Sequence, residues 1–301
     1  MRSLALSALL ALSAALAAGA TPVQAAPTDC PGEGGTVRMG VEPYEAQTRL
    51  SPTYDALAKA IGDKLGCKVQ VFITTSYNAE IEAMRNDKLD VAEFGPLGYV
   101  LAHQVAKADV FATFSDARGK PSTYYASIVT WPGSGITSIK GVAGHTFAYS
   151  DPDSTSGHLF PAFGLKKAGI DPDHGVKSLY AGSHTASFEA IRNHKVEAGE
   201  LNSVLITAAQ QAGTYSPDQF ITLWKSDDIP NDPIAVRRSL PDAFKKRLIA
   251  AVMSVDFASL PAELTKVFPA KGTTKFVAQT DPSYNVVRDL VSTLNIDLSK
   301  L

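Results

Sequence analysis

From Thr36 onward, short apolar runs rich in β-branched residues alternate with stretches in which apolar positions recur at helical spacing. That alternation predicts an α/β chain built on open sheets. Strands are expected at 36–41, 69–73, 91–94, 110–114 and 125–130, and, after Pro132-Gly133-Ser134-Gly135, at 147–149, 177–180, 196–201, 221–224 and 234–236. Helices are expected at 79–86, 154–168, 186–193 and 204–212, with another ending near Ala106. Ser51-Pro52 is read as opening a helix to Leu65, with Pro52 in the first turn, where its missing N–H is harmless. From Pro241 the chain reads as largely helical.

Breaks near 130–132 and 228–233 flank the central block, so the first lobe is expected to resume once the second is complete. Residues 27–130 and 233–301 then form one lobe and 131–232 the other. A chain of this length exceeds what one core usually holds. Ligands in open α/β sheets bind beyond the carboxyl ends of strands, so the cleft between two such lobes is the expected site, closing by a hinge.

The first residues change the picture of where the chain works. Arg2, the Leu/Ala run from Leu4 to Ala18 and small residues up to Ala26 read as a secretory signal over residues 1–26. The run is short of the roughly 20 apolar residues that span a bilayer. Cys30 does not directly follow it, so a lipid anchor is not expected, and the mature chain is placed in the periplasm as a soluble monomer with one closing cleft. Cys30 and Cys67 precede the first and second strands, whose entrances are neighbours in a parallel sheet, which predicts a disulfide; a pair of free thiols is the competing expectation. The net charge of −2, with no basic block, argues against nucleic acid as a partner.

The strongest chemical signal is Tyr149-Ser150-Asp151-Pro152-Asp153-Ser154-Thr155-Ser156-Gly157. A strand ends in a polar turn and a helix opens on three hydroxyl residues and a glycine. Unpaired N–H groups and the helix dipole favour an anion there, and the hydroxyls of Ser154, Thr155 and Ser156 add donors. An ordinary N-cap uses the same residue types. Gly182-Ser183-His184 holds the equivalent place one unit later, with His184 as a donor or as a plain loop histidine. Tyr77 and one of Tyr124 and Tyr125 stand where a hydroxyl could reach the cleft.

Asp90-Val91-Ala92-Glu93-Phe94-Gly95-Pro96-Leu97-Gly98-Tyr99, Asp151–Gly157, Gly182-Ser183-His184 and Ile229-Pro230-Asn231-Asp232-Pro233 together resemble four ordered motifs of one family. It comprises the periplasmic phosphonate, phosphite and phosphate binding proteins of ABC transporters, with a two-lobe type II fold. The resemblance implies a phosphorus oxyanion held by Ser154, Thr155 and Ser156, with hydrogen bonds from Tyr77, Tyr124 and His184, and an inner-membrane permease as partner. It also implies that Asp232 accepts from a proton-bearing oxygen or from an ammonium, since a carboxylate beside an anion needs a donor. Glu93 departs from the family's frequent aromatic residue; facing the cleft it would pair with an ammonium such as that of 2-aminoethylphosphonate, facing solvent it has no role. Glu197 and Glu200 are weaker candidates for that pairing.

No enzyme is expected and no cofactor is implied. The chain lacks a G-x-S-x-G elbow and an H-E-x-x-H pair, which leaves an exported hydrolase as the weaker class. Two further functions fit the same residues: a sensor that hands its closed form to a signalling receptor, and a scaffold for another small anion.

Overall fold

The computed structural model describes residues 30–31, 35–270 and 272–296, so the expected signal segment lies outside the described residues. The chain opens with β1 (Thr36–Val41), α1 (Gln47–Leu65), β2 (Lys68–Ile73), α2 (Tyr77–Arg85), β3 (Val91–Glu93), α3 (Pro96–Val105) and β4 (Ala108–Phe114). A short strand β5 (Thr123–Tyr124) leads to β6 (Ala126–Thr130), β7 (Thr146–Tyr149), α4 (Phe160–Lys167), β8 (Lys177–Tyr180), α5 (His184–Arg192), β9 (Ala198–Asn202), α6 (Ser203–Gln211) and β10 (Ile221–Lys225). The return runs through β11 (Ile229–Pro230), β12 (Pro233–Arg237), α7 (Asp242–Met253), α8 (Ala262–Thr265), β13 (Phe276–Ala278) and α9 (Asn285–Leu294).

Two sheets result. The first has the order β13-β4-β12-β3-β1-β2 and the second β10-β6-β9-β7-β8. β6 stands in the second sheet, so the chain changes lobe at β5, ahead of the expected boundary at residue 130. The two crossings pair with each other: β5 and β11 form an antiparallel ribbon with Ile229 opposite Tyr124 and Pro230 opposite Thr123. This ribbon joins the two sheets.

Local packing explains where the elements begin. α1 buries Leu50, Tyr54, Leu57, Ala58, Ile61 and Leu65, a stripe of helical period that packs with Val37, Met39 and Val41 of β1. Its start precedes Ser51-Pro52 because Leu50 is fully buried and donates its N–H to the Ala46 carbonyl. Pro52 therefore lies inside the helix, where the only backbone acceptor it forgoes is Thr48, an exposed residue. β13 interrupts the expected helical C-terminal region. Phe276 joins Phe114, Phe257 and Phe268 in one aromatic cluster, and that burial fixes the segment as an edge strand on β4.

β1 and β2 pair in parallel from Thr36 opposite Lys68. The disulfide Cys30–Cys67 forms between their entrances, with Cα atoms 5.9 Å apart. It ties the end of the first sheet remote from the cleft.

Candidate functional site

The cleft is lined where strand ends of both sheets meet. β7 ends at Tyr149, and Ser154 caps the turn that follows, its Oγ accepting the Gly157 N–H at 3.1 Å. A single π-type turn, Thr155–Leu159, then runs into α4, a widened geometry that often accompanies functional sites. Gly157 is required by close approach: a Cβ there would lie 2.8 Å from Ser150 Cβ and 2.9 Å from His184 Cε1. The loop thus packs directly against the ring of the histidine predicted to work with it.

His184 opens α5. Its Nδ1 lies 2.9 Å from Glu200 Oε1, a fully buried carboxylate, and its Nε2 lies 3.4 Å from Ser154 Oγ. Burial pulls the imidazole pKa down, and the adjacent Glu200 carboxylate more than offsets this, leaving it above the ordinary histidine value. Glu200, expected at most to meet a ligand ammonium, instead orients the histidine and leaves Nε2 to face the cavity. Glu197 is bound to Thr146 and lies beside His145, away from the cleft.

Tyr77 stands beside Ser154, and Tyr124, on the connecting ribbon, beside Ser156 and Thr155. Ser154, Thr155, Ser156, His184, Tyr77, Tyr124 and Asp232 all line one cavity of about 30 Å3. Tyr125 points elsewhere, with the Lys225 ammonium 3.7 Å from its ring centre. Asp232 sits just before β12, which runs antiparallel to β3; its start therefore lies at the same sheet edge as the carboxyl ends of β1 and β3. Its carbonyl accepts the Thr113 hydroxyl at 2.8 Å, which fixes the backbone and leaves the carboxyl to the cavity. Burial raises that carboxyl to about 7.

Glu93 is neither at solvent nor on the cavity wall. It is 2 % exposed and accepts a hydrogen bond from Tyr54, whose hydroxyl is 2.9 Å from that of Tyr44, and Tyr44 lines the cavity. Burial holds the Glu93 carboxyl well above the usual carboxylate range. Its hydrogen-bonded link to the cavity passes through two tyrosines.

The residue that sequence reasoning missed is Glu42. It follows β1 directly, lines the cavity and is 4 % exposed. Its Oε1 has no hydrogen-bond partner among the described residues. Room for it exists because Gly98 has no side chain: a Cβ there would come within 2.5 Å of Oε1. Burial, then Glu80 and Asp232, raise its pKa well above the ordinary value. Its place just beyond the carboxyl end of a strand puts it near the cleft, but Glu93 at the end of β3 has the same signal, and only the packing tells them apart.

The lobes are drawn together over this cavity. The Leu97 N–H, in the first turn of α3, donates to Thr155 Oγ1 at 2.8 Å across the cleft. Thr155 Oγ1 therefore acts as an acceptor across the cleft. The arrangement offers hydroxyl, backbone and imidazole donors on one side, and carboxyl and phenol groups on the other.

The chain is similar to known proteins over most of its length. Residues 39–284 match the model of the family described as the periplasmic substrate-binding protein of a phosphonate ABC transporter. The chain is 29 % identical over 251 residues to the phosphate-import protein PhnD of Mycolicibacterium smegmatis, covering 80 % of this chain and 78 % of that one. It is 27 % identical over 259 residues to the phosphonates-binding periplasmic protein of Escherichia coli, covering 84 % and 75 %. Among solved structures, the binding component of an ABC phosphonate transporter from Pseudomonas aeruginosa superposes with a TM-score of 0.77 at 27 % identity, covering 86 % of each chain. PhnD1 of Prochlorococcus marinus in complex with methylphosphonate gives 0.75 at 20 % identity, covering 86 % of this chain and 98 % of that one, a likeness of fold.

Proposed function

The chain belongs to the periplasmic phosphonate-binding proteins of ABC transporters, and we propose that it selects phosphonates whose organic arm ends in an ammonium, as in 2-aminoethylphosphonate. The observation that carries this reading is the presence of two unlike walls on one cavity. Ser154, Thr155, Ser156 and His184 supply donors for phosphorus oxygens, with Tyr77 and Tyr124 beside them. Glu42 and Asp232 face them as carboxyls. Two carboxylates beside a phosphonate repel it unless the ligand brings a donor, and an ammonium offsets both. Glu93 supports that wall from behind through Tyr54 and Tyr44.

A second reading follows from the cavity's small volume, which favours a compact anion. Phosphite or hydrogen phosphate would then lie on the same hydroxyl loop, with Asp232 accepting the P–OH proton.

The family is a substrate-binding one, not an enzymatic one. In the proposed cycle the lobes, joined by the β5–β11 ribbon, close on the ligand, and the monomeric closed form delivers it to the permease after residues 1–26 have been removed on export. A thermal-shift panel of 2-aminoethylphosphonate, methylphosphonate, phosphite, phosphate and sulfate tests the reading. A ligand at 100 times its dissociation constant stabilises by about 2.7 kcal/mol. The amine compound is expected to give the largest shift. A larger shift with phosphite or phosphate selects the compact-anion reading, and no shift with any phosphorus compound overturns both.

A further inference from the structure

The loop between β1 and α1 carries a third acid, which reaches the opposite lobe without lining the oxyanion cavity. Glu45 is 7 % exposed. Its Oε1 accepts the Ala46 N–H at 2.7 Å and the hydroxyl of Thr185, and its Oε2 accepts from Arg49 Nη1 at 2.7 Å. Arg49 and Ala46 belong to the same lobe as Glu45, and Arg49, four residues along, holds the carboxylate in place. Thr185 belongs to the other lobe, as the second residue of α5, immediately after His184.

We propose that Glu45 is a closure latch: its carboxylate docks on the first turn of α5 when the lobes come together, and so positions the helix that presents His184 to the ligand. The inference rests on His184 being an oxyanion ligand. The physical argument is differential. A bond between two groups on different lobes exists only in the closed form, whereas the bonds to Ala46 and Arg49 exist in both forms. Only the former shifts the balance between them. A carboxylate at the start of a helix also meets its partial positive charge. Ser183 Oγ already takes the Ala186 N–H, so Glu45 reaches the turn through the Thr185 hydroxyl. When the closed form is only partly populated, apparent affinity falls by that fraction, so a group that never touches ligand can set it.

Glu45→Gln, Thr185→Val and the double variant test this, each measured by calorimetry with 2-aminoethylphosphonate and methylphosphonate and by small-angle scattering with and without ligand. Each single variant is expected to weaken binding about tenfold, the size of one charged hydrogen bond. The ranking of ligands should stay as in the unaltered protein, the double variant should be no weaker than the worse single one, and the ligand-free melting midpoint should hold. A merely structural contact would lower that midpoint and leave ligand-induced compaction intact, and that outcome overturns the proposal. Unchanged affinity in both single variants, or losses that add, overturn it too. If the unaltered protein binds neither phosphonate, it is the proposed function that fails. The latch is then judged on whichever of phosphite, phosphate and sulfate binds, where Glu45→Gln should weaken binding about tenfold and unchanged affinity removes the latch.

Discussion

The two walls of the cleft handle charge in opposite ways. The second lobe holds its side with a turn, three hydroxyls and one histidine paired with the buried Glu200. Among the described residues, no lysine or arginine lines that cavity. The first lobe answers with Glu42, Asp232 and tyrosines, with the buried Glu93 behind them, groups that would be poor company for a bare anion. Oriented dipoles hold an oxyanion of any kind, because an unpaired N–H does not distinguish phosphorus from sulfur. Carboxyls distinguish what else the ligand carries. On the proposed function, affinity and selectivity are divided between the lobes, and closure would bring the two together.

The most damaging change should strike the hydroxyl wall. Gly157→Ala would force a methyl group to 2.8 Å from Ser150 Cβ and 2.9 Å from the His184 ring. The loop and the histidine cannot both keep their places. Calorimetry is expected to show at least a hundredfold loss for every ligand, about 2.7 kcal/mol, with no change in ranking. Should Gly157→Ala bind normally, the donor wall would not be the anion site.

Changes on the carboxyl wall should act on ranking first. Glu42→Gln and Asp232→Asn each remove one charge that an ammonium would meet, and truncating such a pair typically loses about 2 kcal/mol or more, roughly thirtyfold. The loss is expected for 2-aminoethylphosphonate, while methylphosphonate binding should hold or improve. Equal losses for both compounds would mean that the first lobe serves affinity as well, and the division of labour would fall.

That division also separates what the sequence made legible from what it hid. Ser154, Thr155 and Ser156 stand in one short motif whose strand–turn–helix setting is readable, and the structure places all three on the cavity. Tyr77, Tyr124, His184 and Asp232, read from strand and helix starts and from the resemblance, lie on it too. Glu42 and Glu93 come from different strand ends, and nothing local says which acid faces inward. Glu93, on β3, is paired against β1 and β12 and turned toward Tyr54, whereas Glu42, just past β1, looks over Gly98. The same limit applies to the lobe boundary. β6 reads as a continuation of the first lobe, and only its pairing with β9 and β10 moves it to the second.

The smallest expected effect is on stability and concerns the acids without any ligand. Burial raises Asp232 to about 7 and lifts Glu42, Glu80 and Glu93 well above the ordinary carboxylate range. A carboxyl that binds its proton more tightly folded than unfolded loses stability for the fold as the pH climbs from its unfolded value through its folded one. For Asp232 that window runs from about 4 to about 7. His184, raised above its ordinary value, acts in the same direction, its contribution being lost as the pH rises through its folded value. Asp90, lowered by its arginine partners against the effect of burial, acts the other way, and only below the ordinary aspartate value. The ligand-free protein should therefore melt higher near pH 5 than near pH 8, by roughly 2–4 °C for each kcal/mol recovered. Asp232→Asn should flatten the part of that profile near pH 7. A profile that rises with pH instead would mean that the first-lobe acids are already paired, and the contrast between the walls would rest on the hydroxyl loop alone.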